Sequence, residues 1–177
     1  YLPQWHPYED YRASYASRKE LGGGVLLTQI HEFDNALHLF GLPRRVFALG
    51  GKLSQLEIDV EDTASVLMEC EYAGKTLPVT IQTDFLQSPP VRTCAIVGES
   101  GRIFLDLIDN NISLTTRETG ETESHDYKGF ERNQLFVDEL KHFLEAVSGK
   151  TEPIVNIKTG LDSLRMALAA RKSIETG

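Results

Sequence analysis

The sequence has few cysteines and no long apolar run. Its 177 residues include two cysteines, Cys70 and Cys94, and each is flanked by residues typical of strands. This pattern favours buried thiols in a reducing compartment over a disulfide framework, so a cytoplasmic location is expected. No stretch of about 18 apolar residues occurs, and no signal-peptide pattern is present. The sequence therefore predicts a soluble chain with no membrane partner.

Positive charge is also scarce. The chain has 18 Lys and Arg residues against 26 Asp and Glu residues, which gives a formal net charge of −8. A charge of this sign opposes binding to nucleic acid or to an anionic membrane. The apolar content of 41% is ordinary for a globular protein. Residues 1–177 are therefore predicted to form a single domain that does not bind nucleic acid.

Apolar residues at spacings of three and four predict three helices, over residues 23–40, 133–147 and 159–174. Each apolar stripe is expected to face the core. The stripe of the second predicted helix comprises Phe136, Leu140, Phe143 and Val147, and that of the third comprises Leu161, Leu164 and Leu168.

Between the first two helices the hydrophobic period changes to two, which is typical of strands. A hairpin is predicted from residues 64–72 and 77–85, and further strands from residues 44–49, 91–97, 102–107 and 112–116. Short turns pair consecutive strands antiparallel, so the predicted fold class is α+β, with a large, mostly antiparallel open sheet covered by helices on one face. The other face is rich in Thr, Ser and Gln. It is expected either to form a subunit interface of a homo-oligomer or to face solvent.

The most distinctive motif is a run of three glycines that leads into the first helix, over residues 22–34. Glycine permits positive φ and close approach of the backbone to a ligand or another segment. His31 and Asp34 follow on the helix, three residues apart, where they become neighbours on its surface. This arrangement is compatible with a proton-transferring histidine, and equally with a core histidine paired with Asp34.

The opening segment is a second candidate site. Its aromatic residues Trp5, Tyr8 and Tyr11 could stack on sugar faces, and Asp10 and Arg12 could bind hydroxyl, carboxylate or phosphate groups. The alternative is a terminal segment that its aromatics dock onto the domain. Because the chain opens on such a dense segment, and on tyrosine rather than methionine, we expect it to begin inside a larger protein.

An acidic cluster precedes the first strand of the hairpin, at Asp59, Glu61 and Asp62. These carboxylates could bind a cation, but a solvated loop edge is the expected structure. His31 and His38 lie about two helical turns apart, too far for joint metal ligation, and no metal site is predicted.

Three motifs in order resemble the C-terminal domain of the Gfo/Idh/MocA oxidoreductases, the family of glucose-fructose oxidoreductase and inositol dehydrogenase. They are the glycine-to-histidine segment of residues 22–34, the meander with its turn at residues 97–101, and the closing helices around residues 159–162. The resemblance implies that an N-terminal Rossmann domain binds NAD or NADP, and that the C-terminal domain supplies the substrate pocket and an open sheet for oligomerisation. No G-x-G-x-x-G turn after a strand and no Glu-Lys-Pro segment with the family's catalytic lysine occurs here. The Rossmann domain is therefore expected to lie outside this chain.

The resemblance also implies roles for particular residues. His31 matches the catalytic histidine, which exchanges the proton of a sugar hydroxyl while hydride moves between carbon and nicotinamide. Asp34 matches the acidic residue three positions later. Many members carry an aspartate where this chain has Leu27, so Thr28 or Gln29 is expected to compensate.

The function implied is substrate binding within an NAD(P)-dependent oxidoreductase that acts on a hydroxyl or ketone of a sugar, nucleotide sugar or cyclitol. His31 is the expected catalytic residue, and the expected substrate-binding residues are Trp5, Tyr8, Asp10, Arg12, Thr28 and Asp34. No cofactor is expected to bind to this chain alone, which is predicted to be inactive in isolation. The alternative is a non-catalytic, ligand-sensing module of the same fold.

Overall fold

The computed structural model describes residues 1–177 and contains five α-helices and seven β-strands. The helices are α1 (Leu2–Trp5), α2 (Val25–Thr28), α3 (His31–Phe40), α4 (Arg132–Val147) and α5 (Ile157–Thr176). The strands are β1 (Arg45–Gly51), β2 (Thr63–Tyr72), β3 (Lys75–Asp84), β4 (Thr93–Val97), β5 (Gly101–Asp106), β6 (Asn111–Thr116) and β7 (Thr122–Asp126). Two compact units result, a first unit of residues 1–87 and 155–177 and a second unit of residues 88–154.

All strand pairs are antiparallel, which confirms the α+β class and the predicted meander. The strands form two sheets, of order β1-β2-β3 and β4-β5-β6-β7, where a single open sheet was predicted. Pro89 and Pro90 lie between β3 and β4. Proline has no N–H to donate to a ladder, so β3 does not extend through this segment.

The core of the first unit lies between its sheet and its helices. Alternate residues of β2 are buried, as the period-two pattern predicts: Ala64, Val66, Met68 and Cys70. Helix α5 packs on β1 and on α2 and α3. Its buried face carries Met166, Ala167 and Ala170, and the two small alanines permit close approach. Leu161 and Leu168, predicted to face the core, are exposed because the buried stripe is rotated away from them.

The first predicted helix is interrupted, since α2 ends at Thr28 and α3 begins at His31. Gln29, at φ −103° and ψ 36°, leaves the helical region. Its side chain binds β3 instead: Nε2 donates to the Asp84 carbonyl at 3.2 Å, and Oε1 accepts from the Thr83 hydroxyl. These tertiary hydrogen bonds hold the α2–α3 junction against β3 and account for the break.

Helix α4 of the second unit confirms the predicted bounds within one residue. Its apolar stripe, however, is more than half exposed at each of the predicted core positions, which are Phe136, Leu140, Phe143 and Val147. The helix does not pack closely on any strand of its unit. The prediction of a buried stripe is therefore wrong for this structure, although the helical periodicity behind it is right.

Asp62 lies in the loop before β2 and is fully buried, so the prediction of a solvated edge is wrong at this residue. Its carboxylate accepts from Leu53 N at 2.9 Å, Ser54 N at 3.0 Å, Ser54 Oγ at 2.6 Å and Thr63 Oγ1 at 3.1 Å. Burial raises the pKa of Asp62, but these hydrogen bonds outweigh it and lower the pKa below the ordinary value. The carboxylate thus fixes the loop that joins β1 to β2.

Both cysteines are free thiols. Cys70 is buried on the inner face of β2, as predicted, and burial raises the pKa of its thiol. Cys94 is half-buried on β4. Neither observation points to a nucleophilic role.

Candidate functional site

The glycine turn packs against other parts of the same chain. Gly22 and Gly24 have φ of 78° and 103°, as the sequence predicts for this motif. A Cβ on Gly23 would lie 2.3 Å from the Tyr15 carbonyl oxygen, and one on Gly24 would lie 2.2 Å from Glu61 Oε1. The close approach that the glycines permit is therefore to protein atoms, and the turn leaves no room there for a ligand.

An ion pair that sequence reasoning missed anchors this turn. Arg171 Nη2, on α5, donates to the Gly23 carbonyl at 2.6 Å and to Glu61 Oε1 at 3.2 Å. The Arg171 and Glu61 side chains are 21% and 11% exposed. Glu61 Oε1 also accepts from Leu26 N at 3.3 Å. Because Glu61 lies 110 residues from Arg171, no local pattern signals the pair.

A cavity of about 290 Å³ lies beside this ion pair. Its lining residues are Lys19, Gly51, Lys52, Asp59, Val60, Glu61, Arg171, Ile174 and Glu175. None of them was predicted to bind substrate, and the lining combines three cationic with three anionic side chains.

His31 is the first residue of α3, and its side chain is exposed. Asp34 lies one turn later and is half-buried. Its Oδ1 accepts a hydrogen bond from Ser163 Oγ of α5 at 2.6 Å. The alternative of a core histidine paired with Asp34 does not fit this geometry, because His31 is open to solvent and Asp34 is bound to Ser163.

Two of the residues just before His31, Leu27 and Gln29, are engaged in contacts within the chain. Leu27 is partly buried against the core. The Thr28 Oγ1 atom is buried and has no hydrogen-bond partner. The Gln29 amide is held by β3, so it is not free to take the place of an aspartate at Leu27.

Aromatic rings of the opening segment form a row on the surface. Trp5 and Tyr8 are 51% and 81% exposed. The His6 ring lies between them, with centroids 5.1 Å from Trp5 and 5.8 Å from Tyr8, and it is nearly parallel to the Tyr8 ring. His6 was missed as a member of this row. Tyr11, in contrast, packs partly against the core.

Asp10 and Arg12 form a bidentate pair. Arg12 Nε donates to Asp10 Oδ1 at 2.8 Å, and Nη2 donates to Oδ2 at 2.9 Å. Arg12 Nη1 also donates to Glu57 Oε2 at 3.3 Å. The hydrogen bonds from Arg12 lower the pKa of Asp10, and Asp10 in turn raises the pKa of Arg12. Both side chains are about half exposed.

The end of β3 joins two of the predicted site segments. Leu2 N, at the start of α1, donates to the Phe85 carbonyl at 2.9 Å. Gln29 binds the neighbouring residues Thr83 and Asp84. The opening segment and the α2–α3 junction are thus attached to one strand end. Arg12 is attached instead to Glu57, in the loop before β2.

The chain offers no cradle for a dinucleotide at its glycine turn. The turn is filled by Glu61 and by the backbone of Tyr15 and Ala16, and helix α2 after it has four residues. No group of three or more His, Cys, Asp or Glu side chains is arranged to hold a metal ion. None of the helices has the length and hydropathy needed to cross a bilayer.

A family model described as "Oxidoreductase family, C-terminal alpha/beta domain" matches residues 4–177. The chain is 31% identical over 163 residues to myo-inositol 2-dehydrogenase of Thermotoga maritima, an alignment that covers 88% of this chain and 48% of that protein. It thus spans about half the length of this relative.

Solved structures share the fold at lower identity. UDP-N-acetylglucosamine 3-dehydrogenase GnnA of Acidithiobacillus ferrooxidans superposes with a TM-score of 0.68 at 22% identity, covering 85% of this chain and 47% of that chain. The WlbA dehydrogenase of Bordetella pertussis, in complex with NADH and UDP-GlcNAcA, gives 0.70 at 19% identity, covering 92% and 49%. With the family model matching nearly its whole length, the chain belongs to the Gfo/Idh/MocA oxidoreductases, of which it forms the C-terminal α/β domain.

Proposed function

We propose that this chain is the substrate-binding part of a longer NAD(P)-dependent oxidoreductase that acts on a hydroxyl or ketone of a sugar, nucleotide sugar or cyclitol. Membership in the oxidoreductase family supports the reaction class. The names of an inositol dehydrogenase and a UDP-N-acetylglucosamine dehydrogenase among its relatives support the substrate class. The observation that carries the proposal is the exposed His31 at the start of α3, one turn before Asp34.

In this proposal His31 takes or returns the proton of the reacting hydroxyl. Its imidazole is open to solvent and makes no side-chain hydrogen bond within the chain, so it is free to contact a substrate. Asp34 binds a substrate hydroxyl through the carboxylate oxygen that Ser163 leaves free. Thr28, three residues before His31, is a further proposed binding residue, because its hydroxyl lacks a partner; since that atom is buried, the contact requires a local movement that uncovers it.

The opening segment supplies the remaining proposed contacts. Trp5 and Tyr8 present exposed faces on which a sugar ring can stack. Asp10 and Arg12 hold each other in a defined geometry and expose polar atoms for hydroxyl groups. We place the cofactor, NAD or NADP, mainly on a part of the longer protein outside this chain, where it accepts or donates the hydride.

We further propose a homo-oligomer that assembles through the outer face of the three-stranded sheet. Phe47, Leu49 and Leu67 are each about half exposed or more on that face. Thr80 lies opposite Leu67 in the β2–β3 register and is also exposed. Apolar side chains in the middle of a polar sheet face favour burial against a partner. The proposed location is the cytoplasm, in keeping with two free thiols.

The experiment that tests the proposed function replaces His31 in the full-length protein. We expect His31→Asn to lower kcat by at least about 10²-fold, because proton transfer by a positioned side chain typically contributes that much. The midpoint of thermal unfolding should change by only a few degrees, because the side chain is exposed. Turnover is measured with myo-inositol and with UDP-N-acetylglucosamine, each with NAD⁺ and with NADP⁺.

The matched control is His38→Asn, since His38 is a second exposed histidine on the same helix. This variant should keep the wild-type kcat. Near-normal turnover by His31→Asn would show that another residue transfers the proton.

Two observations favour a second candidate function, a ligand-sensing module without turnover. Leu27 occupies the position where many members carry an aspartate, and the neighbouring Gln29 is committed to β3. A sensor would bind myo-inositol or UDP-N-acetylglucosamine in calorimetry. It would turn over neither compound, whether NAD⁺ or NADP⁺ is supplied. Absence of the catalytic lysine upstream would support it further.

A further inference from the structure

Ser163 is a buried polar residue on a helix face that is otherwise apolar. It is 3% exposed, and the other buried residues of that face are Met166, Ala167 and Ala170. A buried hydroxyl is costly unless it forms a hydrogen bond, and alanine has a higher helix propensity than serine. Helix packing alone would thus favour alanine at this position, so the serine hydroxyl calls for a specific partner.

That partner is Asp34. Ser163 Oγ lies 2.6 Å from Asp34 Oδ1, a distance typical of a hydroxyl that donates to a carboxylate. Its other acceptor, the Thr159 carbonyl one turn back on α5, is 3.4 Å away. The single hydroxyl proton is therefore directed to Asp34, which is 129 residues away in the sequence.

The bond fixes one oxygen of Asp34 and leaves the other without a partner in the chain. It also restrains the first turn of α3 from the side of α5. On the other side, Gln29 holds the α2–α3 junction to β3. His31 lies between these two restraints, so tertiary hydrogen bonds hold the chain on both sides of it.

We propose that Ser163 is a positioning residue: by holding Oδ1 of Asp34 it presents the other carboxylate oxygen to the substrate beside His31. This inference rests on the proposed function, since it assigns Ser163 to the same site. Ser163 does not touch the substrate and acts only through Asp34.

The test uses the full-length protein and the Ser163→Ala variant. Losing a hydrogen bond to a charged group should raise KM at least about tenfold for the substrate that the wild type turns over, with kcat changed less than about threefold. The probes are myo-inositol and UDP-N-acetylglucosamine. The thermal midpoint should stay close to that of the wild type, because alanine fits the helix.

Ser173→Ala is the matched control, because Ser173 also lies on α5 and ties it to another element. Its Oγ accepts from Ala48 N of β1 at 2.9 Å. Removing this bond should lower the thermal midpoint and leave KM unchanged. If Ser163→Ala likewise lowers the thermal midpoint and leaves KM unchanged, Ser163 is merely structural and the proposal is overturned.

A double-mutant cycle separates action through Asp34 from an independent effect. The variants are Asp34→Asn, Ser163→Ala and the two combined. If Ser163 acts only through Asp34, the KM of the double variant should match that of Asp34→Asn alone within about twofold. If the KM of the double variant instead rises by the product of the two single fold-changes, the proposal is overturned.

A readout without turnover keeps the two proposals distinguishable. Hydrogen exchange at the backbone amides of residues 31–34 should speed up in Ser163→Ala and not in Ser173→Ala. If the wild type turns over neither probe while exchange responds as expected, the proposed function fails but the restraint on Asp34 stands. Unchanged exchange in Ser163→Ala would overturn the restraint itself.

Discussion

Replacing Asp62 by asparagine should destabilise the fold strongly for a single-atom change. The buried carboxylate accepts four hydrogen bonds, two of them from Leu53 N and Thr63 Oγ1 on one oxygen and two from Ser54 on the other. Asparagine can keep the first pair through its carbonyl oxygen. Its NH₂ group then faces the Ser54 N–H, so two donors meet and the Ser54 N–H is left without an acceptor.

The magnitude follows from that count. A buried donor left without an acceptor costs about 1 to 3 kcal/mol, and hydrogen bonds to a charged group contribute about 1.5 to 3 kcal/mol each. Ser54 Oγ can rotate to accept from the new amide, which recovers part of the loss. We expect a loss of about 2 to 3 kcal/mol in the free energy of unfolding, or about 4 to 12 °C in the thermal midpoint for a chain of this size.

The measurement is urea unfolding at pH 7, with Asp59→Asn as the matched control on the same loop. Asp59 is exposed and its Oδ1 accepts one bond, from Lys19 N at 2.7 Å, which asparagine can also accept. The control should change stability by less than about 0.5 kcal/mol. An Asp62→Asn variant as stable as the control would refute this account of the loop.

The pH dependence gives a second check. The hydrogen bonds lower the folded-state pKa of Asp62 below its unfolded value of about 3.9, so the unfolded chain binds the proton more readily. The stabilisation from the carboxylate is therefore complete at pH values above the unfolded-state pKa, and it is lost as the pH falls through the folded-state pKa. The difference between wild type and Asp62→Asn should stay constant from pH 5 to pH 8, within about 0.5 kcal/mol, and shrink below about pH 4. A gap that does not shrink at all as the pH falls from 4 to 2 would show that the charge is not its source.

Three further predictions concern assembly and binding. Thr80→Glu, on the outer face of β3, should lower the mass measured by light scattering, because it places a charge beside the exposed Leu67. The control Thr119→Glu, in the β6–β7 turn, should leave the mass unchanged. A wild type that is monomeric at high concentration would contradict the proposed interface. Arg12→Ala in the full-length protein should raise KM or lower kcat/KM with little change in thermal midpoint, because exposed ion pairs contribute about 0 to 1 kcal/mol; an unfolded variant would indicate a structural role. The 177-residue chain should show no NAD(H) binding in calorimetry, because its glycine turn is filled by Glu61, and micromolar affinity would contradict that expectation.

The sequence predicts the local elements of this fold well, because periodicity is a local property. Helix α4 and strands β2 and β3 lie within two residues of their predicted bounds. Periodicity cannot show which other element packs against each face of a helix or strand. The α4 stripe has the spacing of a core helix and is nevertheless exposed, and Leu161 of α5 has the right spacing in the wrong phase. Burial depends on which elements pack together, and spacing alone does not determine that.

The candidate site likewise has residues with a local sequence signal and residues that depend on tertiary contacts. His31 and Asp34 can be proposed as site residues from residues 22–34, because they lie close to the glycine motif in the sequence. Ser163 could not, since a serine in a leucine- and alanine-rich helix has no local feature that marks it as the partner of an aspartate 129 residues away. The sequence also suggests Gln29 as a substitute for the aspartate that many members carry at the position of Leu27, but its hydrogen bonds to β3 give it a structural role.

The glycine motif was the strongest chemical signal in the sequence, and its structural cause is tertiary. Positive φ at Gly24 could be foreseen from residue type, but the atom that forbids a Cβ there is Glu61 Oε1, which belongs to a loop expected to be solvated. Glu61 is kept inside by Arg171 of α5 and by Leu26 N. The turn therefore sets where α2 begins relative to α5, and α3 follows from that position. Since Ser163 lies on the same helix as Arg171, α5 holds both the turn before His31 and the carboxylate after it, and the placement of His31 depends on a helix that carries no predicted site residue.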